Sequence, residues 1–371
     1  MIRILQFREE CDILYMYLPL QRQFGRYGEN FMKKVLVAFF VLAMLFAACG
    51  CCAKEAEKLP VSVLIVPHFE IGEMKGDDAG EAQMFFEEYL DNCDVYSAAD
   101  GTEIYYNPKN KVAMYLTGVG KTCAAMSTAA VLSDDRFDYA NTWLLAVGCS
   151  GGAIEYATLG DVILESAVCD YDLGHTADIR EMEGPDSRNL WFASSEYDEI
   201  GYRKLNPDTV ARAYALTKDI RLKTTDISRG MLARNFPGEA WAMRDPAVIE
   251  GTSITSDDYW KGKYNHDKAV QVTEYSQCPD PYASTEMEDM AIAYVADRYG
   301  MLDRTLLMRV VVNIDVFFDN ATPESLWGEN AGFLDEASDN NEETLDIFVP
   351  GMENIFCVGK TIIDSILNGE F

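Results

Sequence analysis

Thr142-Trp143-Leu144-Leu145-Ala146-Val147-Gly148-Cys149-Ser150-Gly151-Gly152 opens with an uncharged run that does not alternate between apolar and polar residues. Such a run fits a strand buried on both faces, and strands of that kind belong to sheets with helices packed on two sides. The expected strand covers Thr142–Val147, and Gly148–Gly152 follows it directly. Three glycines in five residues, with a hydroxyl among them, suit a backbone pressed against a ligand at the carboxyl end of a strand. They suit a tight turn equally well, and the motif alone leaves both readings open.

The neighbouring segments extend the pattern. Val61–Val66, Lys111–Thr117, Asp161–Ser166 and Thr305–Val312 read as further buried strands. Glu81–Leu90 and the alanine-rich Lys121–Leu132 read as helices. Met287, Met290, Ala291, Tyr294 and Val295 recur at helical spacing as one apolar face, and Gly300 ends it. Strand and helix alternate along an α/β chain. Residues 175–250 are polar and give no clear pattern, and Asp335–Glu343 reads as a solvated acidic loop. Without an internal repeat or a linker, residues 60–371 are expected to form one domain.

Composition narrows the function. The chain has 371 residues, with 31 basic and 61 acidic side chains, giving 31 − 61 = −30. That charge repels phosphate backbones and argues against a nucleic-acid partner. Apolar residues make up 49%, enough for a large core. The three histidines are far apart, and of the ten cysteines the six beyond Cys52, namely Cys93, Cys123, Cys149, Cys169, Cys278 and Cys357, contain no C-x-x-C pair, so neither a metal nor a cofactor is expected. Those six serve as buried thiols or as disulfides.

Only one stretch is apolar enough to enter a bilayer, which excludes a polytopic channel. Lys33-Lys34 precedes an apolar run from Val35 to Ala48, too short for a comfortable membrane span. The run Leu45-Phe46-Ala47-Ala48-Cys49 resembles a bacterial lipobox, with Cys49 as the lipidated residue. The expected organisation is a translated leader over 1–31, a signal peptide over 32–48, a tether over 49–59 and the folded domain beyond. It implies export and a lipid anchor on the bacterial cell envelope, tethered to the membrane without spanning it.

Candidate chemistry lies in four places. Gly120-Lys121-Thr122 follows Gly118, but a phosphate loop needs a glycine where Tyr115 stands, so a strand-to-helix turn is the better reading. Glu286-Met287-Glu288 begins the amphipathic helix. Acids there complement the helix dipole, yet a carboxylate also accepts hydrogen bonds from vicinal hydroxyls. Asn313 and Asp315 end a very apolar strand, as a strand cap or at a pocket mouth. Tyr259-Trp260 reads as core, or as a stacking surface for a flat heterocycle.

In order, these motifs resemble the nucleoside phosphorylase and nucleosidase superfamily, and within it the purine nucleoside permeases. Thr117–Lys121 with Ala124-Ala125 is similar to G-[IV]-G-K-x-x-A-A, and Val147–Gly152 with Gly160-Asp161-Val162 to G-[ST]-[AC]-G-G…G-D-[IV]. Gly251–Tyr259 loosely follows G-x-[IV]-x-S-x-D-x-F, with Ser253 and Thr255 departing. Glu286–Glu288 stands at E-M-E. The permease group is suggested by Gly72-Glu73, Gly76-Asp77 and Gly80–Gln83, and by Asp172–His175 with Asp178–Glu181.

The resemblance implies a three-layer fold with a central mixed β-sheet flanked by helices, and a purine nucleoside or purine base as ligand. It implies that Glu288 holds the ribose hydroxyls with Met287 under the sugar, that Tyr259 and Trp260 stack on the base, and that Asn313 and Asp315 address its N7 edge. Glu81, at the helix start, would orient water, with Glu70, nearer the strand, as the alternative. Gly118, Gly148, Cys149, Ser150, His175 and Arg180 would complete the pocket. The superfamily's R-x-x-S-D puts its acid four residues after an arginine; counting from Arg309, that position is Asn313, which cannot deliver a proton, so either the site prefers 6-oxopurines, or Asp315 is the acid, or only binding remains. Where the hexameric phosphorylases carry a phosphate-binding arginine stands Ala146. Phosphate is therefore the less favoured acceptor, and hydrolysis is favoured over phosphorolysis. The rival expectation is a non-catalytic receptor serving a separate transporter. Self-association, as in the superfamily, is a further implied partner.

Overall fold

The computed structural model describes residues 57–153, 155–177, 191–236, 244–316 and 342–371. The main sheet contains β1 (Val63–Val66), β2 (Asp94–Ser97), β3 (Glu103–Asn107), β4 (Val112–Met114), β5 (Trp143–Gly152), β6 (Val162–Asp170), β7 (Tyr202–Lys204), β8 (Val248–Thr255), β9 (Tyr282–Glu286) and β10 (Thr305–Ile314). Two-residue pairs join Leu59–Pro60 to Phe137–Asp138 and His175–Thr176 to Trp191–Phe192.

The sheet is mixed, in the order β7-β6-β8-β9-β5-β1-β4-β3-β2, with β10 bridging β5 and β6. Parallel pairs join β5 to β1 and to β10, and β8 to β6 and to β9. Antiparallel pairs join β9 to β5 and β10 to β6. The strands β5, β10, β6, β8 and β9 therefore close a ring, while β7 and β2 remain the edges of the sheet.

The glycine-rich segment is strand, not turn. β5 runs on through Gly152, pairing with β9 at Gly151 and Gly152 and with β10 along its length. A Cβ on Gly151 would lie 2.9 Å from Thr285 Cγ2 and 3.0 Å from Asn313 Nδ2, so glycine lets three strands meet at one point.

Helices cover both faces. These are α1 (Gln83–Tyr89), α2 (Lys121–Leu132), α3 (Pro207–Thr217), α4 (Asp226–Asn235), α5 (Lys263–Tyr275), α6 (Asp289–Arg298) and α7 (Glu342–Leu367). α6 lies against α2, while α7 packs on β10 and β5 and touches α1, α3 and α4. The largest apolar core includes Leu64, Ile65, Leu144, Leu145, Leu306, Leu307, Phe348 and Ile362.

Several elements lay outside the expected pattern. β2 and β3 form an edge hairpin, and β7, α3 and α4 fall inside the polar stretch. α3 nonetheless starts where chemistry requires, because Asn206 Oδ1 accepts from the N–H groups of Asp208 and Thr209 and Pro207 follows the cap. α7 begins at Glu342, within the stretch expected to be loop. Its buried residues Phe348, Met352, Ile355, Val358 and Ile362 keep helical spacing.

Leu144 is fully buried on the central strand between β1 and β10. Leu144→Ala is expected to cost about 2–5 kcal/mol in urea unfolding without changing the far-ultraviolet circular dichroism. A loss below about 1 kcal/mol would contradict this placement of the core.

Candidate functional site

β10 carries a cation through an apolar run, Leu306-Leu307-Met308-Arg309-Val310-Val311. Arg309 is 2% exposed, and an unpaired guanidinium there would face a severe desolvation penalty. The chain supplies carboxylates from the junction of β9 and α6. Arg309 Nε donates to Asp289 Oδ2 at 2.6 Å, and Nη2 donates to Glu286 Oε2 and Glu288 Oε2, each at 3.1 Å. Nη1 donates to the Cys149 carbonyl at 3.1 Å.

Each acid has further work. Glu286 Oε2 accepts from the N–H groups of Glu288 and Asp289, both at 2.7 Å, capping α6 from inside the core. Its Oε1 accepts from the Thr255 hydroxyl. Glu288 Oε1 accepts from Gly120 N–H at 2.8 Å. Gly120 has φ +88° at the start of α2, a conformation that favours glycine. The Gly120–Lys121 turn thus holds carboxylates: the next N–H, of Lys121, donates to Asp257 Oδ1 at 2.8 Å. Lys121 Nζ is held by Asp170 at 2.9 Å and Asp172 at 2.7 Å.

Glu81 completes the layer from the other side. It lies just before α1, 2% exposed, and accepts from His68 N–H and Cys149 N–H, both at 2.8 Å. A Cβ on Gly148 would meet His68 Cδ2 at 2.6 Å, Arg309 Nη1 at 2.7 Å and Glu81 Oε1 at 2.8 Å, so only glycine lets these groups converge. Burial pushes the Glu81 carboxyl up to about 7, against the opposing pull of Arg309. Burial and the neighbouring Asp289 push Glu286 up to about 8. Burial raises Glu288 too, again opposed by Arg309. Glu165 is held well above the usual carboxylate range by burial and by Asp289 and Glu286. Burial and Arg309 keep His68 neutral, and its Nδ1 lies 3.0 Å from Thr117 Oγ1.

Above this layer opens a cleft whose walls include Phe69, Glu81, Tyr259, Met287, Glu288 and Asn313. Glu288 and Tyr259 share it. Trp260, Cys149, Ser150 and Gly151 also line it, as do Glu286, Thr285 and Arg309. Tyr259 is 41% exposed, at the mouth. Its loop is tied down by Ser256 N–H to the Glu286 carbonyl and by Asp257 N–H to Asp172.

Trp260 also stacks on Tyr171 with centroids 5.1 Å apart, so that protein ring occupies one of its faces. Other expected residues lie elsewhere. Asp315 does not line the cleft. It is fully buried, with Oδ2 2.9 Å from His266 Nδ1 and 2.6 Å from the Tyr282 hydroxyl. Gly118 forms the turn with φ +75°, and its neighbour Val119 lines the cleft in its place. Gly148 lies beneath the cleft rather than on its wall. His175 is exposed on the short strand pair and does not line the cleft. Arg180 and Cys49 lie outside the described residues, as do the expected leader and signal peptide. Among the described residues no group of three or more potential metal ligands occurs.

The profile of the family described as purine nucleoside permease (NUP) matches residues 60–370. The chain belongs to the purine nucleoside permease family. A probable purine nucleoside permease of Schizosaccharomyces pombe is 24% identical over 283 residues, 72% of this chain and 78% of its own length. The Candida albicans purine nucleoside permease is 24% identical over 228 residues, 56% of this chain, which spans 55% of that relative. Both organisms are eukaryotes, and this overturns the expected lipid-anchored placement on a bacterial envelope. Among the described residues no helix is long and apolar enough to cross a membrane.

Solved structures share the fold. A Helicobacter pylori 5'-methylthioadenosine/S-adenosyl homocysteine nucleosidase, solved with butyl-thio-DADMe-Immucillin-A, is 12% identical with a TM-score of 0.51. The alignment covers 83% of this chain and 100% of that one. A putative nucleosidase of the same class from Francisella philomiragia is 12% identical with a TM-score of 0.50, covering 82% of this chain and 98% of its own. The fold is therefore nucleoside phosphorylase-like, with a mixed sheet between helices.

The buried acids set a pH signature. Glu286 titrates near its ordinary value of 4.5 in the unfolded chain and at about 8 when folded. Between these values the folded state keeps a proton that the unfolded state has released, so this group's stabilising contribution falls as pH rises through the window. Glu286→Gln removes the titration. Urea unfolding between pH ~5 and pH ~8.5 should show a smaller loss of stability in the variant than in the parent, by at least ~1 kcal/mol. Equal losses would contradict the assignment.

Proposed function

We propose that the chain binds a purine nucleoside in this cleft and cleaves its N-glycosidic bond with water as the acceptor. The observation that carries the reading is the shared cleft of Glu288 and Tyr259, with Asn313 and Glu81 on the same walls. Family membership and the nucleosidase-like fold support it.

Each Glu288 oxygen has one protein donor, Gly120 N–H for Oε1 and Arg309 for Oε2. A carboxylate oxygen accepts two hydrogen bonds, which leaves one acceptor position on each for the two vicinal hydroxyls of a ribose. Met287 lies beside it against the sugar. The Tyr259 ring covers the base, and the Asn313 amide meets the base's N7 edge. As the glycosidic bond stretches, charge develops on the departing purine, and a positioned N–H donor stabilises it. Glu81, with its carboxyl near 7, accepts a proton from water at neutral pH. The acidic side chains that already engage Arg309 leave it little attraction for an anionic acceptor. Among the described residues Arg309 is the one cation on the cleft wall, and three carboxylates already engage it. This favours water over phosphate.

Asn313 cannot protonate a leaving base, and Asp315 sits away from the cleft. A 6-oxopurine leaves more readily than adenine without a proton at N7, so inosine and guanosine are the preferred substrates. The same absence of an acid supports a second reading, a receptor that holds the nucleoside without cleaving it.

Incubation with inosine or adenosine, with and without phosphate, separates the cases by the free base released. Release from inosine without phosphate is expected, with Glu288→Ala weakening nucleoside binding at least tenfold in calorimetry. Binding without release would establish the receptor. Release only with phosphate would overturn the acceptor assignment, and no heat with any purine nucleoside or base would overturn the site.

A further inference from the structure

Cys169 and Cys278 lie 109 positions apart in sequence, yet their sulfurs stand 3.4 Å apart. Cys169 is the penultimate residue of β6 and is fully buried in a second apolar cluster with Ile254, Trp260 and Tyr282. Cys278 follows α5 and is partly accessible, on the wall of an open groove lined also by His266, Lys263, Pro279 and Pro281. A thiol at the surface of a groove and a second thiol directly behind it form the arrangement needed for two-step thiol–disulfide exchange.

We propose that Cys169 and Cys278 are a reactive dithiol, with Cys278 the attacking and Cys169 the resolving sulfur, and that its substrate is a low-molecular-weight disulfide entering through the groove. The Cys278 thiolate attacks one sulfur of the small disulfide. That S–S bond breaks, one small thiolate leaves, and a mixed disulfide stands on Cys278. The Cys169 thiol passes its proton to the departing small thiolate and attacks Cys278 Sγ. The Cys169–Cys278 bond forms and the second small thiolate leaves. The two protein thiols lose two electrons and two protons, and the small disulfide becomes two thiols.

The surroundings fit this division of labour. The contact with Cys169 lowers the Cys278 pKa, with Thr252 and Lys204 adding to the effect against burial. The same contact and burial push Cys169 up, as a resolving thiol tolerates. Closure ties the end of β6 to the segment after α5, so it stiffens the cluster that seats Trp260.

The test treats the full chain with glutathione disulfide, then alkylates and digests it. The expected product is one cross-linked peptide pair joining Cys169 to Cys278, formed at least tenfold faster than any other protein disulfide. Cys169→Ser should stop closure and trap a glutathione adduct on Cys278, while Cys278→Ser should leave Cys169 unmodified. Thermal unfolding of each variant guards against misfolding. Both cysteines fully alkylated once the treated parent protein is denatured, or a glutathione adduct stable on Cys278 beside an intact Cys169, would overturn the proposal.

Discussion

One buried cation organises the molecule. Arg309 sits in the middle of β10, and nothing in an apolar strand can satisfy a guanidinium. The E-M-E segment answers it by bringing Glu286, Glu288 and Asp289 to the same point. Removing one partner from a buried charge network generally costs more than the network contributes, about 3–5 kcal/mol, so these four residues specify one another. The network reaches outward as well. Glu288 fixes Gly120 at the start of α2, Glu286 caps α6, and the Cys149 carbonyl ties Arg309 to β5. The ring of strands and the cleft above it share these contacts.

Much of the architecture is visible in the order of residues. Buried strands such as Val63–Val66 and Thr305–Ile314 announce themselves by aliphatic runs, the second interrupted by Arg309, and α2 occupies Lys121–Leu132 as the alanine content suggests. The ring closure is not visible, because it depends on which strands pair at Gly151 and Gly152. Glycine there reads locally as a turn, whereas its role is to let Thr285 and Asn313 come close. The hairpin strands β2 and β3 carry mixed polar and aromatic residues and lack a simple period.

The site divides in the same way. The walls named by motif, Glu288, Met287, Tyr259, Asn313 and Glu81, meet at one cleft. The layer beneath them was missed, although a signal existed. A lone Arg in Leu306–Val311 and a lone Glu in Val162–Val168 are charges inside apolar strands, and each demands a partner. Asp315 was drawn toward the base by its distance along the chain from Arg309. In three dimensions it turns to His266 and Tyr282, because it stands just past the end of β10, where the strand's alternation, which would keep residues two apart on one face, no longer holds. His175 shows the limit of motif order, since an exposed strand pair carries it away from the cleft.

Because the network already occupies part of Glu288, the account requires that its remaining acceptor positions face a sugar. A crystal structure of the chain soaked with inosine tests this directly. The expected result is the ribose 2′- and 3′-hydroxyls within hydrogen-bond distance of the Glu288 carboxylate and the purine plane against Tyr259. A nucleoside bound elsewhere, or one in this cleft with its sugar turned away from Glu288, would contradict it.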